Sequence, residues 1–149
     1  MTQAEFEAIL ADTTKRITGD IAWAEDEDHS PAVEFRAEVA SQPGYPLFVR
    51  GSYNAEAQTL TFAVINRAVG RICGLDLGKE HHNPDCLLVG EKHKHLWRES
   101  VRDKEAYVPS DIAAAVGDPV AVWQEFCREA RIEHDGVLQS PPARRKELF

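Results

Sequence analysis

Four of the six histidines, His81, His82, His93 and His95, lie within fifteen residues of one another. An imidazole titrates near neutral pH, so two of them around one phosphodiester can act as base and acid without a metal. One takes the 2′-hydroxyl proton of RNA and the other protonates the leaving oxygen. Read as a strand, residues 91–99 send Glu91, His93, His95, Trp97 and Glu99 to one face and Lys92, Lys94, Leu96 and Arg98 to the other, because strand side chains alternate. His93 and His95 are therefore the expected catalytic core. His82, from the preceding loop, is the expected second acid–base group, and Asp85 or Glu99 the carboxylate that orients an imidazole. Lys92, Lys94 and Arg98 are the expected phosphate-binding cations, since fixed positive charge stabilises the charge developing on the phosphoryl oxygens.

The same residue types admit two other readings. His93 and His95 with His82 or Asp85 form a nitrogen and oxygen donor set suited to a divalent ion such as zinc. Alternatively, His81 and Asn83-Pro84-Asp85 serve turn hydrogen bonds, while His93 and His95 are half-buried strand residues. These residues name no cofactor.

Positioning such a cluster requires a sheet, and the chain spells one. Val33, Phe35, Ala37 and Val39 alternate with Glu34, Arg36 and Glu38, the pattern of a half-buried antiparallel strand. Strands around Leu47–Tyr53, Leu60–Val64 and Arg71–Leu77 follow, joined by turns too short for a parallel crossover, so the arrangement is a meander. Thr2 and Glu5 form a capping box ahead of Phe6, Ile9, Leu10 and Ile17, which predicts a helix over 2–18 closed by Gly19. Asp118-Pro119 starts a second amphipathic helix, with Val120, Trp123, Phe126, Cys127 and Ala130 at helical spacing, expected to run towards Gly136 with His134 near its end. The expected fold class is α+β: an antiparallel sheet of about five strands packed by an N-terminal and a C-terminal helix, in one domain over 1–138 with a loose tail over 139–149.

The chain has 149 residues, 43% of them hydrophobic and 28% charged, the composition of a globular protein. Its apolar runs are too short for a membrane helix, and its acidic N-terminus lacks the order of a signal peptide, so a cytoplasmic protein without a membrane partner is expected. Cys73, Cys86 and Cys127 are too widely spaced for a metal clip and read as buried thiols; Trp23, Trp97 and Trp123 read as core. The net charge is −8, and residues 1–34 hold nine acids against two bases. The histidine-rich stretch 78–104 holds six bases against five acids, locally neutral to basic within an acidic protein, where an anion such as RNA is less repelled. The acidic third supports a rival reading, a non-catalytic interaction protein that contacts a basic protein partner there.

The run Leu75-Asp76, His81-His82-Asn83-Pro84-Asp85, His93-Lys94-His95, Trp97, Glu99 and Asp103-Lys104-Glu105-Ala106-Tyr107 resembles a family of small bacterial and phage proteins of unknown function. The match covers about 35 residues. The histidine-rich loop and H-x-H strand are also similar, more loosely, to the TumE toxins. That similarity implies a toxin-like ribonuclease from a toxin–antitoxin or other mobile-element locus.

Overall fold

The computed structural model describes residues 1–78, 81, 82, 88, 89, 92–102, 104, 106, 107 and 114–142, with the backbone alone at 81, 82, 88, 89, 92, 93 and 107. The elements are α1 (Gln3–Ala11), β1 (Arg16–Thr18), β2 (Ala24–Glu25), β3 (Val33–Val39), β4 (Leu47–Asn54), β5 (Thr59–Asn66), β6 (Gly70–Leu77), β7 (His81–His82), β8 (Leu88–Val89), β9 (Lys92–Leu96), β10 (Ala106–Tyr107), α2 (Pro119–Ala130) and β11 (Glu133–Asp135). An antiparallel sheet runs in the order β10-β9-β6-β5-β4-β3-β2, so the α+β class and the meander from β3 to β6 are as the alternation predicts. The sheet has seven strands rather than about five, because the two-residue edge strands β2 and β10 are too short to show a period. Among the described residues no helix is long and apolar enough to cross a membrane.

Both helices pack on one face of the sheet. α1 buries Phe6 and Ile9, and α2 buries Val122, Trp123, Phe126, Cys127 and Ala130. The capping box forms as expected, with the Glu5 amide donating to Thr2 Oγ1 at 3.1 Å. The helix nevertheless ends at Ala11 and not near 18. Asp12 accepts from the Thr14 amide and hydroxyl, both at 2.8 Å, a local turn that competes with further helix. Residues 16–18 then join β11 in a parallel pair that no local pattern announces.

α2 begins at the expected Asp118-Pro119 but stops at Ala130, where Arg131 adopts the left-handed conformation (φ 57°) and its amide returns to the Arg128 and Cys127 carbonyls. His134 is therefore not at the end of the helix but in β11. Its Nδ1 accepts the Trp123 indole N–H at 3.0 Å, and its Nε2 lies 2.8 Å from the Gly19 carbonyl, which assigns the proton to Nε2.

Trp23, Phe35, Phe62, Trp123 and Phe126 form the centre of the core, with ring centroids 5.0 Å apart for Trp23–Phe35 and 5.1 Å for Phe62–Trp123. The ring of Phe35 lies across Gly51 on the neighbouring strand, where an added Cβ would sit 2.1 Å from its Cε1. Gly51→Ala must push that ring out of a close-packed cluster and is expected to cost roughly 1–3 kcal/mol. A lower urea midpoint checks this, and an unchanged midpoint contradicts it. Cys73 and Cys127 are buried as expected, and burial pushes the Cys127 thiol up to about 12; Cys86 lies outside the described residues.

Lys15 is a buried cation at 3% exposure. Its ammonium donates to the Ile9 and Leu10 carbonyls at 2.6 and 3.0 Å, closing the C-terminal end of α1. Desolvation pulls it down to about 8, against the attraction of Asp12. The unfolded chain keeps that proton up to about 10.5, so between those values it binds more protons than the folded form, and the group's contribution to stability rises with pH. Wild type is expected to gain on Lys15→Met by on the order of 2–3 kcal/mol across this window, read from urea midpoints. A pH-independent difference between the two proteins would contradict it.

Candidate functional site

Leu60, Phe62 and Val64 of β5 and Cys73, Leu75 and Leu77 of β6 belong to the core, so the alternating Thr61 and Ala63 with Gly74 and Asp76 lie on the sheet face away from the helices. On that face the register runs Thr61–Asp76–His93 along one row and Ala63–Gly74–His95 along the next, and Ala63, Gly74, Asp76 and His95 are all buried. Positions 93 and 95 thus share a face, as the strand alternation predicts.

A β-bulge between Val64 and Ile65 shapes the site. Ile72 is the extra residue and joins Cys73 in the core, which turns Arg71 onto the face away from the helices, opposite Ile65. Without the bulge, alternation from Cys73 would point Arg71 into the core. The side chain of Arg71 crosses Gly74, where a Cβ would come within 2.9 Å of its Cδ, and its Nη1 stops 3.7 Å from Asp76 Oδ2. The other carboxylate oxygen of Asp76 accepts from the Thr61 hydroxyl at 2.6 Å. His95 Nε2 lies 3.4 Å from Asp76 Oδ2. Asp76 is 7% and His95 2% exposed, so this is a buried carboxylate served by a hydroxyl, a guanidinium and an imidazole, the pairing a charge needs away from water.

The carboxylate beside the imidazole is therefore Asp76, not Glu99. Glu99 binds the start of α1: its Oε2 accepts from the Gln3 amide at 3.2 Å and its amide donates to Gln3 Oε1 at 3.1 Å. The strand ends at Leu96, so alternation fails beyond it, and Trp97 lies in the core 5.7 Å from Phe6 and not beside His95. Lys94 also departs from its expected role. It is 0% exposed and its ammonium forms an ion pair with Glu129 of α2, turned away from any phosphate on the opposite face. Arg98 is exposed, in a small turn closed by reciprocal backbone hydrogen bonds with Arg102 at 2.7 and 2.5 Å. The backbone of His82 pairs with Leu88 and that of Lys92 with Leu77; their side chains, that of His93 and the whole of Asp85 lie outside the described residues. Among the described residues no three His, Cys, Asp or Glu side chains come close enough to hold a metal ion.

A protein-family model described as a family of unknown function, DUF6978, matches residues 1–132. The chain belongs to that family. No curated protein and no solved structure matches it. The DUF6978 region takes in α1, the whole sheet, α2 and every residue around Asp76.

Sequence reasoning missed Thr61, Arg71 and Asp76 as a group. One signal was available, a carboxylate in the middle of the otherwise apolar run Ile72–Leu77. It also missed two arginines in line with His95: Arg36, Arg50, Ala63, Gly74 and His95 are successive cross-strand partners. Arg71 fills the place over Gly74, and the guanidinium of Arg36 stacks 3.7 Å above the Phe48 ring. With neighbouring strands about 4.8 Å apart, the row from Arg36 to His95 spans roughly 19 Å.

Proposed function

We propose that the protein is a toxin-like ribonuclease that cuts phosphodiester bonds by metal-free acid–base catalysis on the sheet face away from the helices. The observation that carries this reading is the buried Asp76 carboxylate 3.4 Å from His95 Nε2, with two arginines in line with His95. His95 takes the proton of the 2′-hydroxyl, and the 2′-oxygen forms a bond to phosphorus. The bond to the 5′-oxygen breaks, and that oxygen leaves with a proton from a second imidazole, that of His93 or His82. The products are a 2′,3′-cyclic phosphate and a 5′-hydroxyl. Asp76 is a positioning residue: it fixes the imidazole tautomer and stabilises the imidazolium once formed. Arg71 carries the charge on the transferring phosphoryl group, and Arg50 and Arg36 carry neighbouring phosphates of the same strand. Because His95 is 2% exposed, the reading requires its imidazole to become accessible when RNA binds.

Incubation of labelled total RNA with the purified protein in EDTA tests this. Cleavage that the His93→Ala/His95→Ala double variant loses is the expected result. Cleavage that requires added zinc or manganese would make the histidines ligands, and intact RNA under every condition would remove the ribonuclease reading.

A further inference from the structure

The outer edge of β3 is open over a short stretch. The Ala40 and Arg16 backbones exchange two hydrogen bonds of 2.8 Å, which fixes Ala40 as a residue whose N–H and C=O point away from β4. Backbone groups alternate along a strand, so Glu38, Arg36 and Glu34 point the same way. Glu34 is paired with Ala24 of β2. The N–H and C=O of Arg36 and of Glu38 have no hydrogen-bond partner among the described residues. The chain that should cover them, residues 17–23, is bound elsewhere: Ile17 and Thr18 pair with β11, and Ile21 exchanges hydrogen bonds of 2.9 Å with Val137 and Gln139. The result is a cleft of about 550 Å³ between β3 and that segment, lined among others by Thr18, Asp20, Ala22, Arg36 and Glu38.

We infer that this gap in the sheet edge takes an extended basic segment of a partner protein, which adds to β3 as a short strand. Two donors and two acceptors alternating along an edge match the backbone of another extended chain, the mode by which sheet edges capture peptides. The charge selects a basic one. Residues 16–40 hold seven acids against two bases; Arg16 pairs with Glu133, Arg36 lies over Phe48 and Glu38 is met by Arg67, so Asp20, Glu34 and Glu25–Asp28 carry the excess negative charge. Glu25–Asp28 stand at the β2 end of the cleft, where Asp26 caps the turn Glu27–His29 and its neighbours are exposed. This surface shares Arg36 with the proposed RNA track but none of the groups around Asp76 and His95, so the peptide test can fail or succeed without deciding the ribonuclease reading.

The test uses a fluorescent heptapeptide of alternating lysine and valine, its glutamate–valine counterpart, and a lysine–valine version N-methylated at alternate amides, each titrated into the full chain. The lysine–valine peptide is expected to bind at least ten-fold more tightly than either control. Glu38→Pro, which removes one outward N–H and leaves the β3–β4 ladder intact, should weaken it by at least ten-fold, whereas Glu38→Gln should not match that loss. Equal binding of the N-methylated peptide, or of the lysine–valine peptide to Glu38→Pro, overturns the proposal. So does slow hydrogen exchange of the amides of Arg36 and Glu38 in the free protein, which would mean that another part of this chain already fills the gap.

Discussion

Asp76→Asn is expected to slow RNA cleavage by on the order of 10²–10⁴-fold, the range that a positioned acid–base group contributes. Asn keeps the volume and an acceptor for the Thr61 hydroxyl, whose bond to Asp76 is 2.6 Å, but it removes the charge that holds His95 3.4 Å away. His95→Ala should lose a similar factor. The double variant should be little worse than either, since residues acting as one unit are not additive. Thr61→Val, which takes away one hydrogen bond and leaves the carboxylate charged, should cost much less. Rates are compared in EDTA with circular dichroism confirming the fold of each variant. Wild-type rates for folded Asp76→Asn would detach this carboxylate from any chemistry.

The second large effect lies on the other side of the same strand. Lys94, fully buried, is paired with Glu129, whose side chain is 28% exposed. Glu129→Leu removes this carboxylate from beside a buried ammonium, and Lys94→Met removes the ammonium from beside the carboxylate. Each single change is expected to destabilise the protein by roughly 3 kcal/mol. The pair Lys94→Met/Glu129→Leu should return most of that loss, because an apolar contact replaces two charges that were costly to desolvate. Urea unfolding of the four proteins measures the coupling, and additive losses in the double variant would show that the pair is not a unit.

These two predictions also mark where the sequence is legible. Alternation in 33–39 and in the following strands is local information, because burying one face of a strand demands it, and the meander follows from short turns. Alternation also separates His93 and His95 from Lys94 correctly. It does not say which side of β9 is dry, and Lys94, a cation that reads as solvent-facing, is the side turned to α2. The bulge at Ile72 is a register event between two strands, so Arg71 counts as core-facing in any alternating pattern until the partner strand is known. Helix ends show the same division. Thr2 and Asp118 act through hydrogen bonds within a few residues and are readable, whereas α1 gives way to β1 because Arg16–Thr18 find β11 more than a hundred residues away. Asp85 and the side chains of His82 and His93 lie outside the described residues.

If His95, positioned by Asp76, is the base of a metal-free cleavage as proposed, the ends of the cleaved RNA report it. Wild type in EDTA should leave 2′,3′-cyclic phosphate and 5′-hydroxyl ends, and His95→Ala prepared in parallel should leave none. Ends bearing 5′-phosphate, or the same cyclic ends from His95→Ala at the wild-type rate, would contradict it.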